Sequence, residues 1–139
     1  MTAQHIDAVL EIEKECFSHP WSRQSIESEL ENKNSVFCVA LEGEEVAGYI
    51  GMSTVLDEGY IFNVAVSGKY RKKGIGSALI QELVTYGKKN NFCFLTLEVR
   101  ESNEKARSLY SKFGFIKVGE RKDYYSQPTE NAVLMTKYF

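Results

Sequence analysis

Glu98 stands in the run Phe94-Leu95-Thr96-Leu97-Glu98-Val99, a carboxylate that interrupts an apolar segment near its C-terminal end. Burial disfavours the charged form of a carboxylate, so such a position is expected to lift it from about 4.3 toward neutrality, where it serves as a general base. The same residues allow a second reading, a strand-end glutamate that reaches water or pairs with Arg100. Cys93 offers a covalent route as an acyl-carrying nucleophile, but strand burial suits an inert thiol better.

Arg71-Lys72-Lys73-Gly74-Ile75-Gly76-Ser77 encodes a different chemistry. Without Cβ atoms at Gly74 and Gly76, successive backbone N–H groups can turn around an anion. A following helix adds its positive N-terminal end, and Arg71, Lys72 and Lys73 add charge. The segment reads as a pyrophosphate cradle. It lacks the Gly-Lys-Ser/Thr ending of a nucleoside-triphosphate loop, and Leu79 replaces the third glycine of a dinucleotide fingerprint. A lone Gly-x-Gly would read as a solvated turn; the strand-loop-helix context favours the cradle.

The elements that must position these groups follow from the apolar pattern. Ala3 to Cys16 reads as an amphipathic helix, broken by His19-Pro20-Trp21. Ser22 is the expected N-cap of a second helix running to about Leu30, with Trp21 and Ile26 placed as a hydrophobic staple. Val36–Leu41 and Val46–Ile50 flank Glu42-Gly43-Glu44 as a hairpin. Asp57-Glu58-Gly59 is the next turn, and Tyr60–Val66 a central strand. A helix from Ser77 and a strand over Phe92–Val99 complete a strand-helix-strand unit, which implies a parallel crossover. A last helix over Glu104–Phe113 stops at Gly114, and Phe115–Val118 and Ala132–Met135 supply two closing strands. The fold class expected is α+β, or mixed α/β.

Arg71-x-x-Gly74-x-Gly76 after Val64-Ala65-Val66, together with Asn103-x-x-Ala106-x-x-Leu109-Tyr110-x-x-x-Gly114-Phe115, resembles the GNAT N-acetyltransferases. The resemblance implies a mostly antiparallel twisted sheet with one central parallel strand pair, flanked by helices. It also implies acetyl-CoA as co-substrate. Val64, Ala65 and Val66 would bind the pantetheine arm through their backbone, Arg71 to Ser77 the diphosphate, and Asn103 the cofactor arm. By themselves, Val64–Val66 are core strand, Asn103 a helix N-cap and Tyr110 a core tyrosine on the face of Ala106, Leu109 and Phe113.

Phe17-Ser18-His19-Pro20-Trp21-Ser22, Phe62-Asn63-Val64-Ala65-Val66, Leu97-Glu98-Val99-Arg100 and Asp123-Tyr124-Tyr125 together resemble the RimI-type ribosomal-protein alanine N-acetyltransferases within that family. This resemblance spans nearly the whole chain. It implies that the acceptor is a protein N-terminus, with Glu98 as base and Tyr110 as acid. Asp123, Tyr124 and Tyr125, before a proline-containing loop, are expected to line the acceptor's entrance, although they also read as an exposed aromatic turn. Such enzymes usually begin with a strand before the first helix. Here the helical pattern starts within a few residues of Met1, so that strand is expected to be absent and the Val36–Leu41 edge uncovered.

Composition bounds these readings. At 139 residues with 43% hydrophobic content, the chain is expected to form a single domain over residues 1–139. A net charge of −2 argues against direct nucleic-acid binding. No apolar stretch reaches the roughly 18 residues of a membrane span, and no signal pattern opens the chain, so a cytoplasmic monomer or weak homodimer is expected. Cys16, Cys38 and Cys93 lack zinc-type spacing and are expected as reduced core thiols, while His5 and His19 lack metal partners. No metal is expected. Two other functions stay open: acetylation of a small-molecule amine (a polyamine, amino acid or aminoglycoside), and a non-catalytic acyl-CoA-binding module.

Overall fold

The computed structural model describes residues 1–139. A single 3₁₀ turn, Ala3–His5, leads into α1 (Ile6–Cys16), which buries Ile6, Val9, Ile12 and Glu13 along one stripe. Ser22 caps α2 (Arg23–Glu31), its Oγ accepting the Ser25 N–H at 3.1 Å. α3 (Ile75–Lys89) buries Leu79, Ile80, Leu83, Val84 and Gly87, a stripe at helical spacing. α4 (Glu104–Lys112) is capped by Asn103 and ends before Gly114, whose φ of 91° is the left-handed stop the sequence suggested. No helix is long and apolar enough to cross a membrane.

The sheet consists of β1 (Ser35–Glu42), β2 (Glu45–Val55), β3 (Glu58–Val66), β4 (Phe94–Arg100), β5 (Ile116–Tyr125) and β6 (Glu130–Tyr138), in the order β1-β2-β3-β4-β6-β5. Every neighbouring pair is antiparallel except β3–β4, so α3 spans the one parallel crossover. β1 forms one edge, the edge expected to be uncovered, and β5 the other.

Several boundaries depart from the expected ones. β2 continues past Ile50 to Val55, because Gly51 makes room for the rings of Phe62 and Phe37: an added Cβ would lie 2.5 Å from Phe62 Cε2. β5 and β6 are about twice as long as the pattern suggested. β5 is exposed along almost its whole length, so it lacks the alternation that marks a half-buried strand. The sequence assignment of Cys93 to the core is also corrected, while Cys38 and Cys16 pack against the edges of the two apolar clusters. Cys16 and Cys38 are half-buried and Cys93 is exposed, ahead of β4, its thiol donating to Asp57 Oδ2 at 2.8 Å.

Two apolar layers sandwich part of the sheet. Leu79, Ile80, Leu83 and Val84 of α3 pack with Tyr110 of α4 on Ile50, Met52, Leu95, Leu97, Val99 and Met135. On the other face α1 and α2 pack Ile6, Val9, Ile12 and Ile26 against Val46, Tyr49 and Ala65. That second layer reaches only β1 to β3. The outer residues of β4 on the same face, Thr96 and Glu98 among them, stay partly open, and the site forms at this margin.

Candidate active site

β3 and β4 pair over only Glu58–Phe94, Gly59–Leu95 and Tyr60–Thr96. Beyond that point the two strands separate. The cause lies in β3: Gly51 faces Asn63 and Met52 faces Ile61, which leaves Phe62 as an extra, bulged residue two positions after the last parallel pair. A bulge bends its strand and frees backbone groups from the ladder. The opening has Phe62, Asn63 and Val64 on one lip and Glu98, Val99 and Arg100 on the other, with Tyr110 and Asn103 below. It encloses about 510 Å³.

The glycine loop lies between β3 and α3. Gly74 takes φ 78° as the N-cap of the 15-residue α3, and Lys72 also has a left-handed φ of 65°. A Cβ at Gly74 would meet nothing within 4 Å, and one at Gly76 would sit at van der Waals distance, 3.4 Å, from Leu109 Cδ2. The space over Gly74 is therefore free of protein, as a cradle for an anion requires, while Gly76 lies close against Leu109 and Val66. Ile75, Gly76 and Ser77 form the first turn of α3, so their N–H groups are among those a helix leaves without internal partners. Lys72 and Lys73 are exposed, and Lys73 Nζ lies 5.5 Å from the Tyr70 ring centre. Arg71 points elsewhere: its Nε donates to Val66 O at 3.3 Å, and its guanidinium lies 3.9 Å from Glu15. Cys16 joins loop and cleft. It lines the cleft while its thiol donates to Val66 O at 3.5 Å and accepts from Arg71.

Glu98 is 26% exposed at its side chain, and its surroundings are mixed. Oε1 faces Arg121 Nε at 3.3 Å, whereas Oε2 is buried with no hydrogen-bond partner. A buried carboxylate oxygen left unpaired is costly, and such groups in folded proteins mark a place where something else binds or reacts. Glu98 lines the cleft and also a second hollow of about 340 Å³, walled by Tyr60, Phe62, Arg121, Tyr124 and Tyr125. The ion pair with Arg100 considered from the sequence does not form. Arg100 turns to Glu130 Oε1 at 3.2 Å and to the carbonyls of Ser126 and Pro128 at 3.1 and 3.0 Å.

Tyr110 is 8% exposed; burial, with Tyr125 second, pushes its phenol up to about 12. It faces the cleft from the α3–α4 side of the sheet. Asn103 also lines the cleft while its Oδ1 accepts the Ala106 N–H at 3.1 Å, so the cap is formed and the residue is at the site. Val64 lines the cleft; Ala65 packs into the α1–α2 layer and Val66 takes part through its carbonyl. Tyr124 and Tyr125 reach Glu98 because β5 bulges. Arg121 faces Ala132 and Tyr125 faces Glu130, so Lys122, Asp123 and Tyr124 oppose Asn131 alone. Hydrogen bonding to the Glu98 carboxylate, then burial, raises the Tyr124 phenol, and burial followed by the Glu98 charge carries Tyr125 to about 12. Asp123 is not brought to the site: it makes the bend, with φ 51° and its N–H on Asn131 Oδ1 at 2.9 Å.

Sequence reasoning missed Arg121 and Phe62. Arg121 sits three residues before Tyr124, a spacing that would place it on the other side of a regular strand, and only the bulge returns both to Glu98. Phe62 stood within the Phe62–Val66 segment of the resemblance, with no role at the site assigned to it. Ser18 and His19, which line the cleft, entered the sequence reading through the Phe17–Ser22 segment of the resemblance, His19 also as a helix breaker, with no role at the site assigned to either.

A profile of the acetyltransferase (GNAT) family matches residues 6–115. The ribosomal protein bS18-alanine N-acetyltransferase of Haemophilus influenzae (strain KW20 Rd) is 36% identical over 135 residues, covering 95% of this chain and 91% of its own length. The crystal structure of the ribosomal-protein-S18-alanine N-acetyltransferase from Escherichia coli superposes with a TM-score of 0.92 at 29% identity, over 99% of this chain and 90% of that one. Ard1 from Thermoplasma volcanium gives a TM-score of 0.90 at 27% identity, over 99% and 93%. With the parted parallel strands, the open glycine loop and this likeness across its length, the chain belongs to the GNAT family of acetyltransferases.

Proposed function

We propose that this enzyme transfers the acetyl group of acetyl-CoA to a protein N-terminus, the acceptor being the N-terminal alanine of a small-subunit ribosomal protein. The observation that carries the reading is Glu98 Oε2, an unpaired buried oxygen at the point where β3 and β4 part and in the same cleft as Tyr110. The names of the Haemophilus and Escherichia relatives support the acceptor class.

The residues present fit the co-substrate. Gly74 to Ser77 would hold its diphosphate, with Lys72 and Lys73 adding charge, and Val64 to Val66 and Asn103 would flank the pantetheine arm. The bound thioester supplies an activated acetyl group. Glu98 takes the proton of the attacking amine, directly or through a water. An α-amino group has a pKa of about 8 against about 10.4 for lysine, so a modest base is enough for an N-terminus. Tyr110 lies on the leaving side. With its phenol near 12 and a thiol at about 8.5, full proton transfer to the departing sulfur is uphill, so Tyr110 stabilises it through a hydrogen bond. A backbone N–H of β3 near Val66 would bear the charge that develops on the carbonyl oxygen. Tyr124 and Tyr125 form one wall of the acceptor's entrance and the Phe17–Trp21 loop the other.

The test is a substrate panel with acetyl-CoA. It sets peptides beginning with Ala, Ser or Met, including the N-terminal segment of ribosomal protein S18, against spermidine and an aminoglycoside, with acetylation read by mass. Preferred transfer to the alanine peptide supports the reading. Preferred transfer to a small amine overturns the acceptor class, and binding of coenzyme A without any turnover overturns the activity.

A further inference from the structure

Glu13 is fully buried, yet no step above uses it. Its carboxylate lies between α1, β2 and β3. Oε1 accepts the Trp21 backbone N–H at 2.9 Å. Oε2 accepts from the Tyr49 hydroxyl and from Asn63 Nδ2 at 3.4 Å, and Asn63 Nδ2 also donates to the Tyr49 oxygen at 2.9 Å. Beside that carboxylate the Tyr49 phenol is raised, by burial first and then by its hydrogen bond to Glu13. Desolvating a carboxylate is expensive, and an apolar side chain of similar volume would fill this place at lower cost. What only the acid supplies here is a set of acceptors.

Two oxygens of Glu13, one of the carboxylate and one of the main chain, act on one segment. The Glu13 main-chain carbonyl receives the Phe17 N–H at 3.0 Å, and its side chain receives the Trp21 N–H. One residue thus holds both ends of the irregular stretch Phe17–Trp21. Of that stretch Phe17, Ser18 and His19 line the cleft, and the Trp21 ring stacks 5.1 Å from Phe62, the bulged residue at the fork of the strands. Asn63, the third member of the network, lies on the lip of the same cleft. The buried acid therefore ties the loop opposite Tyr124 and Tyr125 to the sheet at the point where β3 turns away.

We propose that Glu13 is a positioning residue for the acceptor: through the Trp21 N–H and Asn63 it sets the Phe17–Trp21 wall against which the peptide beyond its first residue lies. This rests on the acceptor reading above. Glu13→Met tests it, because methionine fills the volume but offers no acceptor to the Trp21 N–H, while Glu13→Gln keeps an oxygen for that N–H and an amide group that the Tyr49 oxygen can accept. For Glu13→Met the KM of an alanine-leading hexapeptide is expected to rise by about tenfold or more. The KM values of acetyl-CoA and of alaninamide, which is too short to reach the wall, should stay within twofold, and Glu13→Gln should restore most of the loss. In the same protein, amide exchange at Trp21 should accelerate by about tenfold while Gly76 to Ala78 are unaffected. Should methionine prevent folding, Tyr49→Phe removes only the phenol that steadies Oε2 and is expected to shift the same two readouts in the same direction by a smaller factor. An unchanged peptide KM, an unchanged Trp21 exchange rate, or a rise shared by alaninamide and acetyl-CoA overturns the proposal. A wild-type enzyme that acetylates no peptide refutes the acceptor reading instead, and the exchange measurement still decides whether Glu13 holds the loop.

Discussion

Glu98→Gln separates chemistry from folding because of how the two oxygens of Glu98 are used. Oε1 meets Arg121 Nε at 3.3 Å and Oε2 has no hydrogen-bond partner. A glutamine can leave its oxygen toward Arg121 and place its amide where Oε2 had no bond to lose. What disappears is the charge in a pair whose side chains are 57% and 26% exposed, and such pairs contribute at most about 1 kcal/mol. For a chain of 139 residues that is a fall in Tm of about 4 °C at most. The diphosphate loop is on another segment, so coenzyme A affinity by calorimetry should stay within about twofold. Turnover has no such protection. Loss of a general base costs roughly 10²–10⁴ in rate, equivalent to about 3–5 kcal/mol of barrier. The assay is kcat on an alanine-leading peptide at neutral pH, beside Tm and coenzyme A affinity. Turnover above about one tenth of wild type would refute the role of Glu98. Loss of coenzyme A binding together with turnover would refute the separation of base from cradle.

Tyr110 gives a prediction at high pH. Its folded value near 12 stands above the unfolded value of about 10, so the fold favours the neutral phenol. That contribution, about 3 kcal/mol, is fully present below pH 10 and is lost as pH rises through 12. Urea unfolding at pH 9 and 11 should show about half of that loss, and Tyr110→Phe should lose less over the same interval, Tyr49 and Tyr125 keeping their own shares, while turning over about 10–100-fold more slowly at neutral pH. Gly76→Ala is tolerated by the protein, with Leu109 Cδ2 at 3.4 Å and a helical position that prefers alanine. Its Tm should hold or rise, while its affinity for coenzyme A should fall by about tenfold if N–H groups there meet the diphosphate. Arg100→Ala removes the donor to the Ser126 and Pro128 carbonyls and the cation lying 4.5 Å from the Tyr125 ring centre. Peptide KM should rise by several-fold with acetyl-CoA KM unchanged, measured by initial rates.

The parts of the site legible in the sequence are those whose residue types conflict with their surroundings. Glu98 breaks an apolar run, Gly74 and Gly76 interrupt the entry to an otherwise regular helix, and Ser22 and Asn103 stand where caps are needed. Each is a local conflict with a local cause. The helices and inner strands were legible for a similar reason, since their buried faces impose a period. β5 was read too short because an exposed edge imposes none, and Cys93 was assigned to the core because the strand was read as beginning before Phe94. Glu13 went unnoticed for the opposite reason. A glutamate inside an amphipathic helix looks like a solvated residue, and its burial depends on partners as distant as Tyr49 and Asn63.

What assembles the site is harder to see in a sequence than any of its members, because two bulges set it. The extra residue at Phe62 turns β3 away from β4 and so creates the cleft. The Lys122–Tyr124 bulge against Asn131 brings Tyr124 and Arg121 together over Glu98. A bulge adds a residue to a ladder without altering the composition of either strand, and its position is fixed by cross-strand packing such as that of the Phe62 ring over Gly51. Filling Gly51 would press on that ring and on Phe37, and so act on the fork itself without substituting Glu98 or Tyr110. Register in the sheet is therefore as much a part of this active site as the carboxylate and the phenol that the cleft brings together.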